Sequence, residues 1–117
     1  MRLVLLSAIL LCATAAWAHH GWSGYDESKD ITLTGVVREA TWANPHGTLR
    51  VQVDKGQGKV WTTTLAPVSR MEDRGMTKNS VKVGSTVTVI GKASKTRGDE
   101  IKAERIVVDG KTTELRR

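Results

Sequence analysis

The chain has a single cysteine, Cys12, and it lies within the N-terminal apolar run. Everything after that run is therefore closed to disulfides, thiolate zinc sites and cysteine nucleophiles. Such a chain sits in an oxidising compartment without redox constraint. Phenylalanine is absent and tyrosine occurs once, so Trp22, Trp42 and Trp61 supply the large apolar groups of the body of the protein. The apolar run from Leu3 to Ala16 is shorter than the ~20 residues that span a bilayer. No later stretch is a transmembrane candidate. Apolar content is modest, and a domain of this size buries only ~60–65% of its unfolded surface. Closing a sheet into a barrel is one way for so short a chain to build a core without bare edges.

The N-terminus is informative. Met1-Arg2 is a charged start, residues 3–16 are apolar, and Ala16-Trp17-Ala18 is a small-x-small cleavage site. This is the pattern of a secretory signal peptide over residues 1–18, with cleavage after Ala18 and a periplasmic or secreted destination. Leu11 stands before Cys12 where a lipoprotein signal wants a small residue, which argues against lipid attachment. Cleavage makes His19 the new N-terminus, with a free amine and an imidazole on one residue. Removing Arg2 from the 18 basic residues leaves 17 against 12 acidic ones, a net charge of +5. An exported basic protein meets anionic envelope polymers or an envelope protein more readily than nucleic acid. The same charge also serves solubility.

Residues 19–30, HHGWSGYDESKD, are polar and glycine-rich without a sustained period, and read as a mobile N-terminal arm. From Ile31 the pattern becomes that of a strand: Ile31, Leu33, Gly35 and Val37 alternate with their neighbours. Ala43-Asn44-Pro45-His46-Gly47 breaks the run with turn chemistry. A second strand follows through Leu49, Val51 and Val53, a hairpin turn at Lys55–Gly58, and a third strand from Val60 to Leu65. Between Pro67 and Gly75 the composition suits a short helix that glycine stops. Thr86–Gly91 reads as a fourth strand. Ile101, Ala103, Arg105 and Val107 alternate across a fifth, and Asp109-Gly110 turns the tail back. Three strands, a short helix and two strands predict an all-β protein, a small five-stranded OB-fold-like Greek-key barrel over residues 31–117. An immunoglobulin-like sandwich wants about seven strands.

The chain holds three histidines, and they are concentrated. His19 and His20 stand at the processed terminus, and His46 follows a proline in the turn between the first two strands. A barrel can bring a terminal arm against such a loop. Three imidazoles and an amine make a nitrogen-rich set, and Cu(II) prefers tetragonal nitrogen and oxygen ligation. The amine, with a reference pKa of ~7.7–8.0, gives up its proton to a metal near neutrality more readily than a lysine does. Two geometries are open. In one, His19 chelates through amine and ring, and His46 completes a brace. In the other, the His19 amine, the His20 backbone nitrogen and the His20 ring bind copper as a local peptide chelate without His46. Zinc fits less well, since the set lacks cysteine or a placed carboxylate.

Each of these residues also has a plain structural role. Terminal histidines are an ordinary polar start. Asn44-Pro45-His46-Gly47 makes a sound turn by itself. Tryptophans in a small barrel fill its core. Even so, Trp42, four residues before His46, suits a shield over a metal or a stacking surface for a ligand, and Trp22 suits a pin that holds the arm to the barrel. Met71 and Met76 offer thioethers for Cu(I), but on a short helix such residues more often fill core gaps. No catalytic set stands out.

His19-His20, Tyr25-Asp26, Thr34-Gly35-Val36-Val37, Trp42-Ala43-Asn44-Pro45-His46 and the run from Val83 to Gly91 together resemble a family of small exported bacterial proteins of unknown function. Its members begin with an AHHS-like segment after the signal and carry a W-x-N-P-H turn. Here Gly21-Trp22 follows the histidine pair in place of the usual aromatic. The resemblance implies that His19, His20 and His46 belong to one pattern. The plan is also similar to periplasmic OB-fold copper carriers that bind Cu(I) with His, Met and a nearby Trp, although no His-x-Met or Met-x-Met spacing sits on a strand here.

Two functions are expected from this reading. The first is a copper-binding protein using His19, His20 and His46, for storage, delivery or sensing. The second is a binding module without metal that holds an envelope glycan, peptide or partner protein on the barrel face. A copper enzyme of the histidine-brace kind is a third possibility and needs an open position at the metal.

Overall fold

The computed structural model describes residues 21–117. The expected signal peptide, and the expected ligands His19 and His20, lie outside the described residues. Six strands form one sheet: β1 (Ile31–Thr41), β2 (Thr48–Gln52), β3 (Val60–Thr64), β4 (Thr86–Ala93), β5 (Glu100–Val108) and β6 (Lys111–Glu114). They lie in the order β3-β2-β1-β4-β5-β6, and β5 pairs back onto β3 in parallel. The first five strands therefore close on themselves, with antiparallel pairing everywhere except at that seam. This is the small OB-fold-like barrel that the strand order predicts. The tail beyond Asp109-Gly110 is a strand in its own right, β6, which adds an outer hairpin to β5.

Alternation places Leu49 and Val51 of β2 and Val87 and Val89 of β4 inside, all essentially inaccessible. In β5 the simple alternation fails. The buried residues are Ile101, Ala103, Ile106 and Val108, whereas Arg105 and Val107 are not buried. The reason is a β-bulge: Gly91 pairs with Ala103 but Ile90 pairs with Arg105, so Glu104 is an extra residue and the inward phase moves by one. A similar extra residue, Arg38, sits in β1 between the pairs Val37–Val51 and Glu39–Arg50. Bulges of this kind bend a strand and sharpen its twist, which a closed barrel of few strands requires. Glycine allows the close backbone crossings. A Cβ at Gly91 would overlap the Lys102 carbonyl, and one at Gly35 would overlap the Gln52 carbonyl.

The β2–β3 connection contains α1 (Val53–Gly56), a single turn in which Asp54, Lys55 and Gly56 all have positive φ. The expected helix between the third and fourth strands is α2 (Val68–Asp73). It stops at Gly75, whose φ is +87°. There the Gly75 N–H donates to the Glu72 carbonyl and the Met76 N–H to the Met71 carbonyl, the paired bonds of a Schellman end. Met71 and Met76 are both buried in the core, which is the gap-filling role. Among the described residues no helix is long and apolar enough to cross a membrane.

Candidate functional site

The segment from Gly21 to Asp30 is stitched to the barrel, which its glycine-rich, aperiodic composition does not suggest. The Asp26 N–H donates to the Ala93 carbonyl at 2.8 Å and the Lys95 N–H to the Gly24 carbonyl at 2.9 Å. Tyr25 forms an antiparallel bridge with Ser94, and its hydroxyl donates to Glu100 at 3.0 Å. Burial, followed by the hydrogen bond to Glu100, raises the Tyr25 pKa above its ordinary value, so the phenol keeps its proton. At the far end of the arm, Lys92 reaches Asp30 at 2.9 Å and Glu104 at 3.7 Å. Arg116 bridges Glu104 at 2.8 Å and Glu27 at 3.1 Å. Glu104 is the bulge residue of β5, and its carboxylate meets Lys92 and Arg116, the two cations that hold Asp30 and Glu27 of the arm.

Trp22 pins the arm, as its position in the sequence suggests. Two cations lie against its ring, Lys102 Nζ at 4.7 Å and Arg116 Cζ at 4.1 Å from the centroid. The Tyr25 ring meets it edge-on at 6.2 Å. Lys102 also donates to the Gly21 carbonyl at 3.1 Å. These contacts fix the position at which the chain emerges from the histidine pair.

That position is beside His46. Two clefts, of about 330 and 280 Å³, are both lined by Gly21, His46 and Lys102. The His46 turn is itself held firmly. Gly47 continues the β2–β3 ladder, its N–H donating to the Ala66 carbonyl at 3.1 Å and its carbonyl accepting from the Leu65 N–H at 2.9 Å. Gly47 is buried against Met71, close enough that a Cβ would meet the Met71 methyl at 2.8 Å. The half-buried His46 ring places Nδ1 3.3 Å from the Gly47 carbonyl. A carbonyl only accepts, so Nδ1 carries the hydrogen, and in the neutral ring Nε2 keeps its lone pair. Metal-binding histidines are commonly oriented in this way.

The other candidate residues fall elsewhere. Trp42 directly follows β1 and packs half-buried against the core. It lines neither of these clefts. Its indole N–H is buried with no acceptor among the described residues. Trp61 is half-buried on β3, with Lys59 Nζ 4.2 Å from its ring centroid. Among the described residues there is no group of three or more His, Cys, Asp or Glu side chains that could hold a metal ion, since only His46 of the proposed ligands is described. Sequence reasoning did not single out Lys102, Arg70 or Arg116. They come from β5, α2 and the tail after β6, and only closure of the barrel brings them together.

The model of a family of unknown function, DUF6152, matches residues 8–102. The chain belongs to that family. Comparison with curated proteins gives no match. Among solved structures, one titled "Crystal structure of the ZRD-deleted mutant of TiaS in complex with agmatine" is similar over 74% of this chain, with 22% identity and a TM-score of 0.47. This chain spans 24% of that one.

Proposed function

We propose that this DUF6152 member is an exported copper-binding protein in which a processed N-terminal His19, with His20, and the side chain of His46 hold the ion for storage, delivery or sensing. One observation carries this reading: the residue that follows the histidine pair, Gly21, shares the walls of two clefts with His46. Two residues of extended chain reach at most ~7 Å, a short tether from Gly21 to an amine at His19. The docking of Gly21 beside His46 is what supports the brace over the local peptide chelate, which would not use His46. In this arrangement Trp22 acts by positioning the arm, and Trp42 supports the core beneath the turn. The ion has its nitrogen set from the amine and the imidazoles, which suits Cu(II).

The test is a copper titration of the protein processed to His19, beside a form with one additional residue before His19 and beside His46→Ala. Even the loss of an outer-shell partner costs a metal site ~10–100-fold in affinity, so loss of the amine or of His46 is expected to cost at least that. Equal copper affinity in the extended and processed forms would refute the reading, as would exported protein that begins at any other residue. A second reading, a metal-free binding module for an envelope glycan, peptide or partner protein, is favoured by the half-exposed Trp61 beneath Lys59 and by Arg50 on the neighbouring strand. It predicts an unchanged copper titration and a ligand footprint on β2 and β3.

A further inference from the structure

The 330 Å³ cleft beside His46 has an uneven lining. Leu65, Ala66 and Leu115 are buried and form an apolar floor, while Arg70, Lys102 and Arg117 stand around it. No aspartate or glutamate side chain lines it. Arg70 spends one donor on the Leu115 carbonyl at 3.0 Å, out of the five a guanidinium carries. Among the described residues none of the three cations has a carboxylate within ion-pair distance.

Lys92, paired with Asp30 at the end of the arm, provides the contrast. It is buried, whereas Arg70 and Lys102 are half-buried and Arg117 is exposed; Asp30 and Glu104 accompany it, and the hydrogen bond to Asp30 raises its pKa. Burial, and then the nearby Arg116 and Arg70, push Lys102 below the usual lysine range. The fold thus assembles three cationic side chains around a concave apolar surface and, among the described residues, sets no aspartate or glutamate side chain within ion-pair distance of them.

We propose that this cleft binds a small organic monocarboxylate, with its acid group between Arg70 and Lys102 and its apolar body on Leu65, Ala66 and Leu115. The volume lies at the small end of the ~300–1,000 Å³ typical of ligand pockets. A guanidinium beside an ammonium matches a carboxylate. The apolar floor selects against a compact, strongly hydrated anion, which would leave that surface uncovered. The proposal stands apart from copper: it needs neither His19 nor a bound ion.

The experiment uses protein expressed from the full chain and stripped of metal over a chelating resin, so that its outcome does not depend on the copper reading. Phenylacetate is titrated by calorimetry and by NMR of the Trp22 indole N–H, beside phenylacetamide and inorganic phosphate. Phenylacetate is expected to bind and shift the Trp22 resonance, and both controls to bind at least tenfold more weakly. Lys102→Met and Arg117→Gln are each expected to weaken phenylacetate several-fold, while Glu39→Gln, remote from the cleft, leaves it unchanged. The proposal is overturned if acid and amide bind alike, if phosphate binds as tightly as phenylacetate, if both cation variants bind as the parent does, or if phenylacetate gives no binding at millimolar concentration.

Discussion

Replacing Trp22 with alanine discriminates between the two geometries open to the proposed copper site. In the brace, His46 helps only while the arm is docked, so whatever holds Trp22 contributes to affinity. The ring lies 4.7 Å from the Lys102 ammonium and 4.1 Å from the Arg116 guanidinium. Cation–π contacts at exposed sites contribute ~0.5–1 kcal/mol each. The edge-on contact with Tyr25 adds ~0.5–1.5 kcal/mol. Together these stabilise the local docking by about 2–3 kcal/mol, which at ~1.4 kcal/mol per tenfold corresponds to a loss of up to roughly 30–100-fold in apparent affinity. Trp22 lies outside the core cluster, so the barrel is expected to fold normally, which circular dichroism checks. The assay is a Cu(II) competition titration of the processed protein, Trp22→Ala, His46→Ala and the double variant. Because both changes remove the same contribution, the double variant should bind no more weakly than His46→Ala. Unchanged affinity in Trp22→Ala would refute the brace and leave the local peptide chelate.

Two further predictions concern the arm and the barrel. The hydrogen bond from Lys92 holds the Asp30 carboxyl below its ordinary pKa, so the stabilisation is fully present above the unfolded value of ~3.9 and is lost as pH falls through the depressed one. Protection of the Asp26 and Lys95 amides from hydrogen exchange, relative to the unstructured rate at the same pH, should therefore fall below pH ~4, and Asp30→Asn should show the lower protection already at neutral pH; protection that is the same in both proteins would contradict this. Gly91→Ala places a Cβ onto the Lys102 carbonyl and is expected to cost about 1–3 kcal/mol or more by overpacking. Urea unfolding measures it against Gly98→Ala, a position with open space, and equal midpoints for the two variants would show the reasoning to be wrong.

Much of the fold was legible because a period of two records which side of a strand faces the core. Leu49 and Val51 declared β2 in this way, and the turn at Lys55–Gly58 and the stop at Gly75 were written in glycine. Alternation misplaced the far half of β5, since the extra residue Glu104 is required by how the barrel bends and nothing local marks it. The arm was misread for a related reason. Its residues have no period because each is held by a different part of the barrel: Trp22 by two cations, Tyr25 by Glu100, Asp30 by Lys92.

The concentration of histidine was visible at once, since residue identity alone says which atoms donate to a metal. The cleft beside His46 was not. Arg70, Lys102 and Arg117 lie up to 47 positions apart in the chain, and no short-range pattern relates them. The sequence by itself determined the strand order, the helix and its stop, and the pairing of His19 with His20, because these depend on local conformation and residue identity. Only the tertiary structure decided where the arm docks, which histidine it approaches and which cations face one another without an acid. Those follow from barrel closure, which sets distances that the spacing of residues along the chain does not contain.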